Sequence, residues 1–212
     1  MEITHIIWDF NGTVLDDVHM AVAAVNDMLI SRGLETTNLE VYKNTLTMPL
    51  TEYYKTVGIY CDDIAGLSVE FRGFCAKHPE LAKIADGVKE VIAYAKEKGI
   101  TNVLMSSLYH PHLIEEVEKY SVADWFDEII GLSDRNLGSK QNNALEYIER
   151  HKLNANNILF IGDIISDSQM AKSVGGQTIL ISNGHMSYER CKKQTENTYE
   201  NIREVIEYIK KA

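Results

Sequence analysis

The chain has 212 residues, of which 45% are hydrophobic and 25% charged, so it contains enough apolar material for a real core, and wholesale disorder is excluded. Lys and Arg number 21 against 31 Asp and Glu, a formal net charge of −10 that excludes a general nucleic-acid binder. No apolar run approaches the ~20 residues that span a bilayer, and no signal peptide is visible. We therefore expect a cytoplasmic protein that binds neither nucleic acid nor membranes.

The first third of the chain is predicted to be one strand followed by helices. An apolar run over residues 3–8 predicts a buried strand, and the polar turn 9–13 follows it. Helical spacing then predicts a helix capped by Asp16 or Asp17 and ended by Gly33. Because further helical stretches, without a convincing strand, continue to about Lys83, we interpret residues 15–82 as an all-helical cap. The cap is inserted into a core of residues 1–14 and 83–212.

The remainder of the chain alternates helices with strands. Strands are predicted over residues 101–105, 128–130, 158–161 and 178–181, and Thr198 is predicted to cap the last helix. This alternation predicts an α/β fold, with a Rossmann-like parallel sheet wrapped by helices. Right-handed crossovers place the carboxyl ends of the strands at one edge, where ligands bind in such folds.

Polar clusters follow three of the predicted strands, in residues 9–13, 106–107 and 162–167. Carboxylates from Asp9, Asp163 and Asp167 that meet at one edge would repel each other unless a cation or proton joined them, and Mg²⁺ prefers oxygen ligands of this kind. The hydroxyl of Ser106, the cation of Lys140 and the backbone N–H groups of the turn suit the oxygens of a phosphoryl group. The pattern predicts that Asp9 attacks phosphorus while Mg²⁺ and Lys140 neutralise charge.

These residues resemble, in order, the four motifs of the haloacid dehalogenase superfamily, in the phosphoglycolate phosphatase-like branch with a helical cap. The run DFNGT at 9–13 resembles the first motif, D-x-D-G-T, and Ser106 and Lys140 resemble the second and third. The run GDIISD at 162–167 resembles the fourth, G-D-x-x-x-D. The resemblance implies a Mg²⁺-dependent phosphoric monoester hydrolase that acts on a small phosphorylated metabolite. It would form an aspartyl-phosphate on Asp9 and work as a monomer or homodimer.

The resemblance also implies a role for each site residue. Mg²⁺ would be held by Asp9, the backbone carbonyl of Asn11 and Asp163, with Asp167 in support. Ser106 and Lys140 would bind the phosphate. Further substrate contacts are expected from the core and from the cap, namely from Phe10, Gly12, Ser107, Lys43 and Tyr54.

Asn11 departs from the family pattern, which has Asp at this position. That Asp protonates the leaving group and then activates water, and an amide can do neither, a loss that typically costs ~10²–10⁴-fold in rate. Three explanations stay open. The leaving group needs no proton, as in an acyl or aryl phosphate; another residue, with His110 and His185 as candidates, supplies the acid; or the protein is a phosphate-ester binder with little catalysis.

Two other branches of the superfamily are alternatives. Haloacid dehalogenases need no metal, so Asp163 and Asp167 argue against that activity. Phosphonoacetaldehyde hydrolases also lack the second Asp and use a cap lysine as a Schiff base. Lys43 and Lys55 lie in the predicted cap and are candidates for that lysine.

Overall fold

A six-stranded parallel sheet forms the centre of the computed structural model, which describes residues 2–133 and 139–212. The strands in chain order, including a separate short pair, are β1 (His5–Trp8), β2 (Leu15–Asp16), β3 (Lys83–Ile84), β4 (Thr101–Tyr109), β5 (Glu128–Leu132), β6 (Ile158–Gly162), β7 (Gln177–Ile181) and β8 (Thr198–Tyr199). The sheet order is β5-β4-β1-β6-β7-β8. The predicted parallel α/β fold is therefore confirmed.

Helices cover both faces of this sheet and fill the segment between β2 and β3. They are α1 (Val18–Ser31), α2 (Leu39–Thr45), α3 (Leu50–Thr56), α4 (Ile64–Cys75), α5 (Val88–Glu97), α6 (His110–Lys119), α7 (Lys140–His151), α8 (Ile165–Val174), α9 (Tyr188–Lys192) and α10 (Glu204–Lys211). In the described part of the chain, no helix is long and apolar enough to cross a membrane.

The alternation of β1 side chains builds two buried clusters. Ile6 and Trp8 pack on one face with residues of α5, α6 and α10, whereas Ile7 packs on the other face with residues of α7 and α8. Successive residues of a strand point to opposite faces, and a strand buried on both faces reads as a continuous apolar run. The first strand lies centrally, paired with β4 on one side and β6 on the other. Its carboxyl end therefore adjoins the carboxyl ends of both neighbours.

Helices α1 to α4 enclose a third buried cluster that is separate from the two sheet clusters. The antiparallel pair β2–β3 brings together the two points where the chain leaves and re-enters the core. Leu15 is buried in the cluster on the sheet face, whereas Val18 is buried in the separate cluster, so the helices begin to pack separately from Val18. We call residues 18–82 the helical insert; its status as a separate domain stays a prediction.

The structure differs from the prediction in three respects. The strand expected to end before Ser106 continues to Tyr109, because a register shift after Met105 lets the chain pair again with β5. Strands β2 and β3 were not predicted, since two residues are too short to show a period. Thr198 lies in β8, which pairs with β7, and the last helix begins only at Glu204.

Candidate active site

An acidic cluster lies at the carboxyl edge of the sheet. Asp9 follows β1, Asp163 follows β6, and Asp167 lies in the first turn of α8. One carboxylate oxygen from each lies within 4.8 Å of the others, and Asp163 and Asp167 are buried. The predicted meeting of these three side chains is therefore observed, because β1 and β6 are neighbours in the sheet.

Lys140 is the cation of this cluster. Ser139 caps α7 by accepting a hydrogen bond from the backbone of Asn142, which places Lys140 at the first helical position. Its Nζ donates to Oδ1 of Asp9 and, at 2.7 Å, to Oδ1 of Asp167. Burial lowers the pKa of Lys140, but the carboxylates of Asp167 and Asp9 outweigh it and raise that pKa overall, so the amine stays charged.

Lys140 does not offset all the negative charge of the cluster. Burial raises the pKa of Asp9 to about 6, although Lys140 opposes the shift. Burial likewise raises the pKa of Asp163 to about 8, against the opposing charge of His185. Carboxylates this close together need a further cation or a proton, and a set of hard oxygen donors fits Mg²⁺. The donor chemistry of Asp9, Asp163 and Asp167 is therefore compatible with the expected metal.

The turn after β1 packs directly on Asp163. Gly12 has a φ of +77°, and a Cβ atom there would collide with the Asp163 carboxylate and come within 2.6 Å of the His185 ring. Gly184 approaches the same carboxylate, and the N–H of His185 donates to its Oδ2 at 2.6 Å. Glycine is needed at both positions because a side chain would displace a candidate metal ligand.

A carboxylate outside the acidic cluster, that of Asp17, holds the same turn. Its Oδ1 accepts the Gly12 N–H at 2.8 Å, and its Oδ2 accepts from Nδ2 of Asn11 at 2.7 Å. Nε2 of His185 lies 3.1 Å from Oδ1 of Asp17, and Nδ1 of the same ring lies 3.0 Å from the hydroxyl of Tyr42. Asp17 occupies the N-cap position of α1, yet its side chain makes no capping hydrogen bond. Asp17 is therefore the N-cap residue by position, as one of the two predicted candidates, but its carboxylate is occupied by these other donors instead of the helix backbone.

The predicted phosphate-binding residues lie at the same edge, with different exposures. Ser106 is buried and its Oγ accepts from the N–H of Leu108 at 3.1 Å, whereas Ser107 is exposed. Phe10 points its ring into the sheet cluster, so only its backbone faces the turn, where its carbonyl accepts three N–H groups. These geometries leave the substrate contacts as predictions.

The two predicted cap contacts are placed differently. Nζ of Lys43 donates to the carbonyl of Ser182 at 2.6 Å, which joins α2 to the loop after β7. Tyr54 is buried inside the insert, with its ring 5.8 Å from that of Tyr53, so its position gives no support to a substrate contact. His110 accepts the Gly131 N–H at 3.2 Å through Nδ1, which places that nitrogen against β5.

Comparison with known proteins places the chain in a family. A model of haloacid dehalogenase-like hydrolases matches residues 6–181. A Caldanaerobacter subterraneus subsp. tengcongensis protein named as a pyrophosphatase, PpaX, is 24% identical and covers 99% of this chain and 96% of its own. A phosphoglycolate phosphatase of Aliivibrio fischeri is 25% identical, covering 87% of this chain and 86% of its own.

A solved structure shares the whole fold. A haloacid dehalogenase-like family hydrolase from Streptococcus pneumoniae superposes with a TM-score of 0.82 at 17% identity, covering 97% of this chain and 98% of that one. The family match, the phosphatase relatives and the sheet-edge geometry agree with the expected superfamily and branch. The chain belongs to the haloacid dehalogenase-like hydrolases.

Proposed function

We propose that the protein is a Mg²⁺-dependent phosphatase that cleaves a small phosphorylated metabolite through an aspartyl-phosphate on Asp9. The observation that carries this proposal is the convergence of Asp9, Asp163 and Asp167 on one point, with Lys140 bound to two of them. When bound by Asp9, Asp163 and the Asn11 carbonyl, with Asp167 in support, Mg²⁺ would neutralise charge on the phosphoryl oxygens.

The first chemical step belongs to Asp9. One carboxylate oxygen of Asp9 forms a bond to phosphorus while the bond from phosphorus to the leaving oxygen breaks, and the leaving group departs with the electron pair. Lys140 and Ser106 bind phosphoryl oxygens, and the N–H groups of the turn 10–12 and of Ser107 add hydrogen bonds. Water then attacks phosphorus, which releases phosphate and restores the Asp9 carboxylate.

Asn11 favours a leaving group that departs without a proton. Its amide has no ionisable proton and is held by Asp17, so it does not protonate an alkoxide. His185 does not replace it directly, because each ring nitrogen lies within hydrogen-bond distance of another side chain. We therefore propose an aryl or acyl phosphate, or a phosphate of similarly low leaving-group basicity, as the preferred substrate.

A cavity between the insert and the core supports a leaving group with apolar surface. It has a volume of about 230 Å³ and adjoins the segment between Asp163 and Asp167. Its lining residues, which are mostly apolar, are Leu46, Thr47, Met48, Ile164, Ile165, Ser166, Gln169 and Met186. The insert contributes one wall of this cavity, which supports its proposed role as a cap that selects substrates.

An activity panel tests the proposal. Aryl, acyl and alkyl phosphates are assayed with Mg²⁺ on the wild-type protein, on Asp9→Asn, and on the control Asp16→Asn, which alters a carboxylate outside the cluster. We expect aryl or acyl turnover in the wild type and in Asp16→Asn, and none in Asp9→Asn. Undiminished turnover in Asp9→Asn would remove Asp9 as the nucleophile; binding without turnover by the wild type would favour a phosphate-ester-binding protein instead.

One observation favours a second candidate, cleavage of a carbon–phosphorus bond. Lys43 is partly buried, and burial lowers its pKa from the ordinary value, whereas Lys55 is exposed and paired with Glu52 at 2.8 Å, so Lys43 is the better candidate for the Schiff base. Incubation with phosphonoacetaldehyde and borohydride would then attach the substrate's carbon skeleton to Lys43 irreversibly. Absence of that adduct, with phosphate-ester turnover present, excludes the second candidate.

A further inference from the structure

A buried chain of hydrogen bonds links the helical insert to the turn beside the acidic cluster. It begins at the Tyr42 hydroxyl on α2, passes through both ring nitrogens of His185, and reaches Asp17. Asp17 then accepts from Nδ2 of Asn11 at 2.7 Å and from the N–H of Gly12 at 2.8 Å. Residues 42 and 185 are separated by 143 positions in the sequence, so the chain exists only when the insert is seated on the core.

The members of this chain are shielded from water. Tyr42, Asp17 and His185 are all buried. A buried polar group that loses its hydrogen-bond partner has no water to replace it. The loss of one hydrogen bond therefore changes the position of the next group in the network. The chain is therefore expected to respond as a unit to the position of α2.

The end of the chain touches the proposed catalytic machinery. Gly12 packs so closely on Asp163 that a Cβ atom there would overlap its carboxylate. Asp17 holds the side chain of Asn11 and shares the Gly12 N–H with the Leu15 carbonyl, so it contributes to where this turn lies against Asp163. A small displacement of Asp17 would be passed to a candidate metal ligand.

We propose that Tyr42, His185 and Asp17 are positioning residues, which hold the Asn11–Gly12 turn in its reactive geometry only when the helical insert is seated. The inference rests on the proposed function, since it takes this turn to be part of the phosphoryl-transfer site. In this account the insert does more than enclose the substrate. Its Tyr42 hydroxyl sets the rate of the chemical step.

Other contacts between the insert and the core provide a matched control. Oγ of Ser187 donates to Oδ1 of Asn44 at 2.7 Å, two residues along the chain from Tyr42. This contact also joins α2 to the loop after β7, but neither of its two residues is a member of the chain that reaches Asp17. Tyr42→Phe and Ser187→Ala therefore each remove one hydroxyl between insert and core, and only the first interrupts the chain. The ring at 42 keeps its packing on Tyr53, which lies 5.5 Å away.

The position of the turn can be measured without activity. The chain contains two Asn–Gly pairs, at 11–12 and 183–184, so labelling asparagine carbonyls with ¹³C and glycine with ¹⁵N selects two amide resonances. Asn183→Ser removes one of them and so assigns the Gly12 signal. Thermal melting of each variant checks that it is folded.

We expect Tyr42→Phe to shift the Gly12 amide resonance and to lower kcat severalfold with little change in KM, while Ser187→Ala changes neither. An unmoved Gly12 resonance in Tyr42→Phe, or equal shifts in both variants, would overturn the inference. A shifted Gly12 resonance with an unchanged kcat would overturn the claim that the Tyr42 hydroxyl affects the rate of the chemical step. Wild-type protein without phosphatase activity would overturn the proposed function, and the Gly12 resonance would still decide whether the insert and the turn are coupled.

Discussion

The amide of Asn11 donates a hydrogen bond to the carboxylate of Asp17, 2.7 Å away and six residues further along the chain. A carboxylate thus lies beside the first motif, but at position 17 instead of position 11. The same carboxylate accepts the Gly12 N–H and is paired with His185, so the pair Asn11 and Asp17 organises the turn on which the proposed chemistry depends.

Exchanging the two side chains tests the missing-acid explanation. Asn11→Asp alone places two carboxylates in contact and should weaken the turn, because like charges repel. In Asn11→Asp combined with Asp17→Asn, the amide at 17 can donate to the carboxylate at 11 and the hydrogen bond is kept. We expect the double variant to speed the first chemical step on alkyl phosphates by up to ~10²-fold, the low end of general acid catalysis, and on aryl phosphates much less.

Burst kinetics separate this first step from hydrolysis of the aspartyl-phosphate, which the restored acid should also accelerate. The single variants Asn11→Asp and Asp17→Asn are the controls. An alkyl-to-aryl ratio that stays at its wild-type value in the first step would contradict the missing-acid explanation.

Metal binding should stabilise the fold through the acidic cluster. A ligand at 100 times its Kd stabilises a protein by about 2.7 kcal/mol, and for a chain of this size each kcal/mol raises Tm by about 2–4 °C. We expect saturating Mg²⁺ to raise the Tm of the wild type and of Asp16→Asn, but not of Asp163→Asn. An equal rise in all three proteins, measured by calorimetry, would place the ion elsewhere.

We expect Lys43 to affect activity by holding the insert on the loop after β7, and not by contacting the substrate. Its amine donates to the Ser182 carbonyl at 2.6 Å, so Lys43→Gln weakens the seating of the insert for every substrate. We predict a severalfold loss of kcat/KM that is similar for phosphates with neutral and with anionic leaving groups. A loss of kcat/KM confined to phosphates with anionic leaving groups would instead support the substrate contact that was predicted from the sequence.

Much of the fold and of the acidic cluster could be predicted from sequence because each depends on local pattern. The apolar run before Asp9 and the run before Asp163 indicated buried strands, and parallel pairing then brings their carboxyl ends to one edge. The short strands β2 and β3 escaped prediction because two residues carry no periodicity. The full length of β4 depends on a register shift that no local rule indicates.

The environment of Asp17 was not predictable in the same way. An acidic residue before a helical pattern is ordinarily an N-cap, and the true partners of Asp17 include a histidine 168 positions away. Tyr54 shows the converse: as an aromatic residue in a predicted cap it suggested a ligand contact, but its ring packs inside the insert. Contacts that depend on how two distant segments meet are set by tertiary packing, and one sequence alone does not reveal them.

The central claim is that Asp9 becomes phosphorylated, and trapping the phosphoryl group tests it most directly. Because Asn11 cannot activate water, the aspartyl-phosphate should hydrolyse slowly and accumulate. We predict that rapid mixing with an aryl phosphate and Mg²⁺ gives a burst of about one phenolate per protein, and that acid quenching and digestion locate the phosphoryl group on Asp9 by mass spectrometry. Asp9→Asn should give neither burst nor adduct. Steady turnover by the wild type without any phosphorylated peptide, or with the phosphoryl group on another residue, would contradict the account.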